Sequence, residues 1–545
     1  MKRFWKSPKQ LMAMIKRFLA AAAAAAALSV SAAGQVRTGD EGQLSASFET
    51  NTIYYVDDKG LAGSTPDDRF GSNNYLKIDY NYKKLSAGIQ LEGYFPALYG
   101  YELGQQADPK KFFLGSKYIS WDDENFSVLV GNVYEQFGNG LIFRSYEDRQ
   151  LGLNNSLEGV RASYSFSRFV AVKGMYGRPR LYTDYAGSWV RGLDLSVSVA
   201  DIFNWDNILL SVEGSYVNRY EALDKDVTMD FYSLGLDTPQ LNMYSGRVNF
   251  GWKGLSVKGE YAAKSKDLPM PGSSRAVRGA AIFGEAIYSW KSFSVSGTFR
   301  MIENMGTMLT LYGSGTGNSL NYLPSLTRQY TYMLANLNPY QVNVAGETSG
   351  QVDVYYSLRN RNDRHRYWNF HANYSTAYTL NGSQSATGKV QLMWSDANVD
   401  IERQWNRKLK TILLYSRQQW SPSHGAQAET YVSNIFVGDV TYKFDRKKSL
   451  RAEVQYLLSS DYEGDWVAGL VEFSFAPMWS IFASDMYNLE GTRKNYYNAG
   501  FSFTKGRTRI QLSYGRNRAG YICSGGVCRY SPAYTGLNLA MTTSF

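Results

Sequence analysis

In the segment WNFHANYSTAY, residues 368–378, a histidine, an asparagine and a serine follow one another at a spacing of two: His371, Asn373 and Ser375. Hydrolytic chemistry needs a nucleophile, a base within hydrogen-bond reach and a group that orients the base, so this trio is weighed first. In an extended chain a spacing of two places all three on one face, opposite Trp368, Phe370, Ala372, Tyr374 and Tyr378. A polar strand face accounts for the same residues, and His365 and His424 have no Ser/Asp constellation nearby. No catalytic set, cofactor site or metal site is expected.

A second segment concentrates charge. FGNGLIFRSYEDRQLGLNNSLEGVR, residues 137–161, holds Arg144, Glu147, Asp148, Arg149, Glu158 and Arg161 among Leu141, Ile142, Phe143, Leu151 and Leu153. A third candidate is the cysteine pair in YICSGGVCRY: Cys523 and Cys528 flank a Gly-Gly turn, and a disulfide is the simplest chemistry for them in an oxidising compartment. Zinc would need further ligands, and no histidine is close in sequence.

The elements that would position these residues follow from pattern. Residues 1–34 read as a secretory signal peptide: six cations, an apolar Leu/Ala run, then small residues suited to cleavage. Because those six cations have no acidic counterpart, the net charge of +10 falls to +4 for the rest of the chain. Nucleic-acid binding thereby loses its main support. Residues 35–545 contain no apolar run long enough for a spanning helix. They do alternate. In LSVKGEYAAK, Leu255, Val257, Tyr261 and Ala263 oppose Ser256, Lys258, Glu260 and Lys264; in RAEVQYLLS, Ala452, Val454, Tyr456 and Leu458 oppose Arg451, Glu453, Gln455 and Ser459. Strands of about ten residues with one apolar and one charged face, joined by very uneven loops, indicate a transmembrane antiparallel β-barrel rather than a β-sandwich.

The chain end TGLNLAMTTSF alternates Leu537, Leu539, Met541 and Phe545 against Asn538, Ala540, Thr542 and Ser544. With Gly536 before it and an aromatic last residue, it resembles the C-terminal targeting strand of Gram-negative outer-membrane proteins, which the barrel-assembly machinery reads. If Phe545 lies at the periplasmic end, every connection acquires a side. Turns such as WKG at 252–254, WKS at 290–292 and TKGR at 504–507 become periplasmic, and 57–72, 99–109, 138–156, 179–189, 221–241, 265–277, 304–350, 418–428 and 518–534 become extracellular. The expected architecture is an all-β, single-chain barrel of about 24 strands, within a range of about 22 to 26, with a periplasmic N-terminus. The stretch 380–405 reads equally as one strand or two.

A barrel this wide would be a large hole if empty. TonB-dependent transporters fill theirs with an N-terminal plug domain; here strand-like sequence starts about ten residues after the cleavage region, so no plug domain is expected. General porins instead fold their third external loop inward. Residues 138–156 occupy that place, and their apolar side chains have no reason to be exposed, so Arg144, Glu147, Asp148, Arg149, Glu158 and Arg161 are the candidate lumen constriction, paired with wall charges such as Lys173 and Arg178. Loop 304–350 holds Tyr312, Tyr322, Tyr330, Tyr332 and Tyr340, candidate aromatics for packing the mouth or for presenting a binding surface.

The stretches GNVYEQFGNGLIFRSYEDRQLGLNNSLEGVR and CSGGVCRYSPAYTGLNLAMTTSF resemble a family of outer-membrane barrels from Bacteroides-like bacteria, known as a domain of unknown function. The resemblance implies location and fold and supplies no activity. The expected function is a porin-like outer-membrane channel for small hydrophilic solutes. The alternative is a non-conducting barrel that binds a surface lipoprotein, a secretion apparatus or host glycans. An outer-membrane phospholipase uses His, Ser and Asn on its barrel surface, but His371, Asn373 and Ser375 should face the lumen, away from lipid.

Overall fold

Alternation of apolar and polar side chains makes each segment two-faced, and the two faces are satisfied together only if the sheet closes on itself. A computed structural model describes residues 36–38, 42–61, 65–106, 109–223, 231–363 and 365–545. Residues 1–34, expected to be a signal peptide, lie outside the described residues. From Gly42–Val56 to Tyr534–Ser544, 24 antiparallel strands each pair with their sequence neighbours. The last then pairs with the first, from Ser47 opposite Ser544 to Val56 opposite Thr535, which closes the barrel. Two minor pieces extend the same sheet: Val36–Thr38 folds back on the first strand, and Asp184–Tyr185 pairs with the end of Val170–Leu181.

The connections segregate by end. At one end they are short turns, several of them two residues long, with Lys83, Lys253 and Lys291 in the left-handed region at φ 51–52°. At the other they are loops, the longest being 304–345 between Phe293–Glu303 and Gly346–Arg359. The ambiguous stretch resolves into a loop, 380–391, followed by the single strand Leu392–Gln404.

Side chains divide by parity. Leu193, Val248, Val352, Leu413 and Val454 stand out from the wall, with Leu413 and Val454 about 65% exposed, a band with nowhere to go but lipid. At the turn end this band is edged by Trp121, Trp252, Trp290, Trp405 and Trp479. Cations snorkel over these rings: Lys253 lies 4.5 Å from the Trp252 ring, Lys291 4.6 Å from Trp290, and Arg403 sits between Trp368 and Trp405 at 3.9 and 3.7 Å. No helix among the described residues is long and apolar enough to cross a membrane; the strands make the crossing.

Candidate functional site

On several strands the inner face changes from polar at the turn end to apolar toward the loop end, with buried charges such as Arg219, Lys264, Arg300 and Glu347 among the apolar positions. In Tyr431–Lys443 the inward positions run Asp439, Val437, Ile435; Met175, Val217, Met243 and Ile302 do the same on other strands. Apolar side chains on the inside of a barrel need a partner, and loops supply it.

The charged segment is the first. Leu141, Ile142 and Phe143 are fully buried against Met175, Val190, Val217, Met243, Ala262, Ala281 and Ile302, all inward-facing. Its tip reaches the middle of the wall, where the Asn139 backbone N–H and side-chain amide donate to Glu260 at 2.9 and 2.8 Å. Gly138 has φ +54°, and a Cβ there would collide with Arg247. Only glycine fits.

The candidate constriction residues separate on inspection. Arg149 donates to Glu49 at 2.8 Å, to Gln90 at 3.0 Å and to Glu147 at 3.1 Å, which ties the segment to two wall strands. Asp148 accepts from the backbone of Leu151. The Arg144 guanidinium is held between the rings of Tyr146 and Tyr322, at 4.3 and 3.8 Å. Burial, tempered by that cation, pushes the Tyr146 hydroxyl up to about 12. Arg161 lies on the wall strand Leu157–Ser167, facing inward, and donates to Ser127 at 2.7 Å. Glu158 requires a correction. It shares parity with the exposed Val160, Tyr164 and Phe166, so it stands on the outer face, bonded to Lys117 at 2.8 Å, and has no part in a lumen constriction. Arg178 is likewise outward and bonds the Ala186 carbonyl, whereas Lys173 pairs with the loop residue Glu135 at 3.0 Å.

Loop 304–345 crosses the lumen. Near its start Lys264 donates to Gly306 O at 2.5 Å, Ser188 to Leu309 O at 2.6 Å, and Glu221 accepts from the Leu311 N–H at 2.7 Å. It then zips to the charged segment: Tyr322 N to Gly140 O, Arg144 N to Leu320 O, and the Asn321 amide to Leu141 O. On the far wall Arg328 pairs with Asp400 at 2.6 Å, Tyr330 donates to Asp396 at 2.7 Å, and Gln455 accepts from the Leu334 N–H at 2.9 Å. Leu334 and Leu337 pack on Leu414, Ile435, Leu457, Trp466 and Met486.

This overturns part of the surface-aromatic expectation. Tyr330, Tyr332 and Tyr340 are all less than 10% exposed, because they fill the space between loop and wall instead of facing solvent. Tyr340 donates to Glu347 at 2.6 Å, and burial raises the hydroxyls of Tyr330, Tyr332 and Tyr340 far above the ordinary tyrosine range. Tyr322 donates to the Gly525 carbonyl; Tyr312, 43% exposed, is the most open of the five.

Gly525 is the tip of a hairpin, Gly520–Ser524 with Val527–Ser531, clipped by a disulfide between Cys523 and Cys528. Arg529 of this hairpin donates to Gln150 O and lies 4.0 Å from the Tyr101 ring, so hairpin and charged segment also touch. A cavity of about 300 Å³ remains between the hairpin tip, the long loop and Pro269–Pro271, lined by Tyr146, Tyr322, Asn321 and Gln341.

Below the loops the inner wall carries partly exposed charge. Lys258, Asp353, Lys410 and Arg451 point inward, yet their side chains keep between 34% and 47% exposure. His371 is on this face with both ring nitrogens committed, to Asp353 at 2.6 Å and Asp400 at 2.9 Å. Asn373 donates to Asp353 and Ser375 meets Thr327, so no nucleophile–base pair forms among the three. The final strand, with Gly536, Leu539 and Met541, is paired on both sides, to Thr508–Asn517 and to the first strand.

Residues 14–545 match the model of a protein family described as "Family of unknown function (DUF6029)". The chain belongs to that family. No curated protein matches it. Among solved structures it is similar to the P pilus usher PapC translocation pore, at 10% identity and TM-score 0.44, over 92% of this chain and 99% of that one. The siderophore receptor PirA of Pseudomonas aeruginosa gives 10% identity and TM-score 0.42 over 94% and 81%. OccK8 (OprE) of Pseudomonas aeruginosa gives 12% and 0.39 over 78% and 100%. These likenesses concern the barrel architecture alone.

Proposed function

We propose that this DUF6029 protein is an outer-membrane channel of porin type that passes small hydrophilic solutes without energy input, through a lumen narrowed by its own loops. In this reading the loop end is extracellular, the turn end and N-terminus are periplasmic, the bilayer is the permanent partner, and the barrel-assembly machinery reads the Gly536–Phe545 strand. Arg144, Glu147, Asp148, Arg149 and Arg161 surround the passage and set its ion preference. One observation carries the reading: charged side chains on the inner wall, Lys258, Asp353 and Arg451 among them, retain a third or more of their exposure. Partly exposed charges on an inner face fit a lumen that holds water. A water-filled lumen is what a channel needs.

The interlocking of segment 134–156, loop 304–345 and the disulfide hairpin favours a second reading. In it the mouth is closed, and the barrel displays a fixed surface to a lipoprotein, a secretion apparatus or glycans. Liposome swelling with sugars of increasing size separates the two. The channel reading expects swelling with small sugars and a sharp cut-off at larger ones; no swelling with any sugar contradicts it and favours the closed barrel.

A further inference from the structure

The turn end of the barrel is strongly basic over one arc. The turns and strand ends 359–366, 405–410, 443–448 and 505–509 carry 14 Lys and Arg residues against two acids, Asp363 and Asp445. Those two acids do not neutralise the arc. Asp363 is used inside its own turn, by the His365 N–H and by Arg366 at 3.3 Å, and Asp445 accepts the N–H groups of Lys447 and Lys448. Arg361, Arg407, Lys408, Arg446, Lys447 and Arg507 are exposed and have no ion-pair partner among the described residues. The arc covers the side of the barrel built from Gly346–Arg359 to Thr508–Asn517, whereas the turn 122–125 on the other side is acidic.

We propose that this arc is a binding surface for anionic glycerophospholipid headgroups in the leaflet at the turn end. Two observations and one principle select a lipid over an acidic protein. The turns are short, so their cations stay in the plane where the aromatic edge marks the membrane boundary and cannot reach far into solvent. The cations are interleaved with lipid-facing rings: Arg403 lies between Trp368 and Trp405 beside Arg407, and Phe444 packs on Tyr442 and Phe473 beside Arg446. That mixture of ring and cation fits the junction of acyl chain and phosphate. Clusters of Lys and Arg beside a membrane-spanning element attract anionic lipid with a strength that grows with each cation.

The test uses the barrel in nanodiscs holding equal amounts of phosphatidylcholine and phosphatidylglycerol, followed by counting the lipids of each class that remain bound in native mass spectrometry. The wild type should retain phosphatidylglycerol over phosphatidylcholine by about threefold or more. The combined variant R407Q/K408Q/R446Q/K447Q should lose most of that preference, and K253Q, away from the arc, should keep it. Heat-modifiable gel migration verifies that each variant is a closed barrel, and the paired variants R407Q/K408Q and R446Q/K447Q stand in if the quadruple does not fold. Equal retention of both lipids by the wild type, or a preference unchanged in folded variants, overturns the proposal. The first of those outcomes redirects the arc to an acidic protein partner.

Discussion

Single residues do two kinds of work here, closing the barrel and seating its loops. Asp58 closes it. Its carboxylate takes Arg516 in a bidentate pair at 2.7 and 2.8 Å, the Thr535 hydroxyl at 2.6 Å and the Gly60 N–H at 2.8 Å, fastening the loop after the first strand to the last two strands. Arg516 above all, with Thr535, holds Asp58 down to about 2 from the ordinary 3.8. A carboxylate with a lowered pKa contributes stability that is complete above its unfolded value and vanishes as the pH falls through the folded one. Heat-modifiable migration should therefore shift to lower temperature as the pH is taken from about 5 to about 2, and D58N should be weakened at neutral pH and lose part of this dependence. Ile142 seats a loop: Ile142→Ala should cost about 3 kcal/mol in guanidinium unfolding if the segment unfolds with the barrel. An unchanged midpoint would mean that the segment contributes nothing to the cooperative unit. At this scale the sequence was partly legible. The parity that placed Lys258 and Arg451 on the inner wall also places Glu158 outside, since it alternates in phase with Val160 and Tyr164; grouping it with the loop charges ignored its own strand. The burial of Tyr330 and Tyr340 was one of two open readings, packing the mouth or presenting a surface, because a loop tyrosine is the same residue whether it meets solvent or a distant wall.

Elements were more legible. Period-two alternation and the contrast between two-residue turns and long loops are local properties, and they fixed strand order and barrel closure. The stretch 380–405 stayed ambiguous because GKVQL alternates like a strand while its backbone turns with Gly388 at φ +68°. Docking of the loops left a trace that could have been found: inner-face positions that change from charged to apolar along one strand, Asp439 to Val437 to Ile435, mark where something else fills the lumen. The far half of the long loop is held by apolar packing of Leu334 and Leu337, by a few hydrogen bonds and by one charge, Arg328, so loss of that charge should loosen the loop without releasing the strands. Arg328→Ala should speed amide hydrogen exchange in residues 325–340 by about tenfold or more while the strands remain protected. Reduction of the Cys523–Cys528 disulfide should increase proteolytic cutting of the hairpin and, through Tyr322 on Gly525, of loop 304–345, with the barrel intact by gel migration. Cutting confined to the hairpin would show that the two elements are not coupled.

The whole molecule is a wide barrel with one half packed by its loops and the other lined by partly exposed charge. The loops cover inner apolar residues that would otherwise face water. The concentration of cations in one arc of the turn end was present in the turn sequences but hidden by the small net charge of residues 35–545. The central claim is that the segment around Ile142 lies in the solute path and narrows it. Single-channel current in a planar bilayer, for the wild type and for a barrel lacking residues 141–153, tests it most directly. The account predicts steady openings in the wild type and larger, differently selective openings in the deletion. Two folded barrels that are both silent, or that conduct identically, would contradict it.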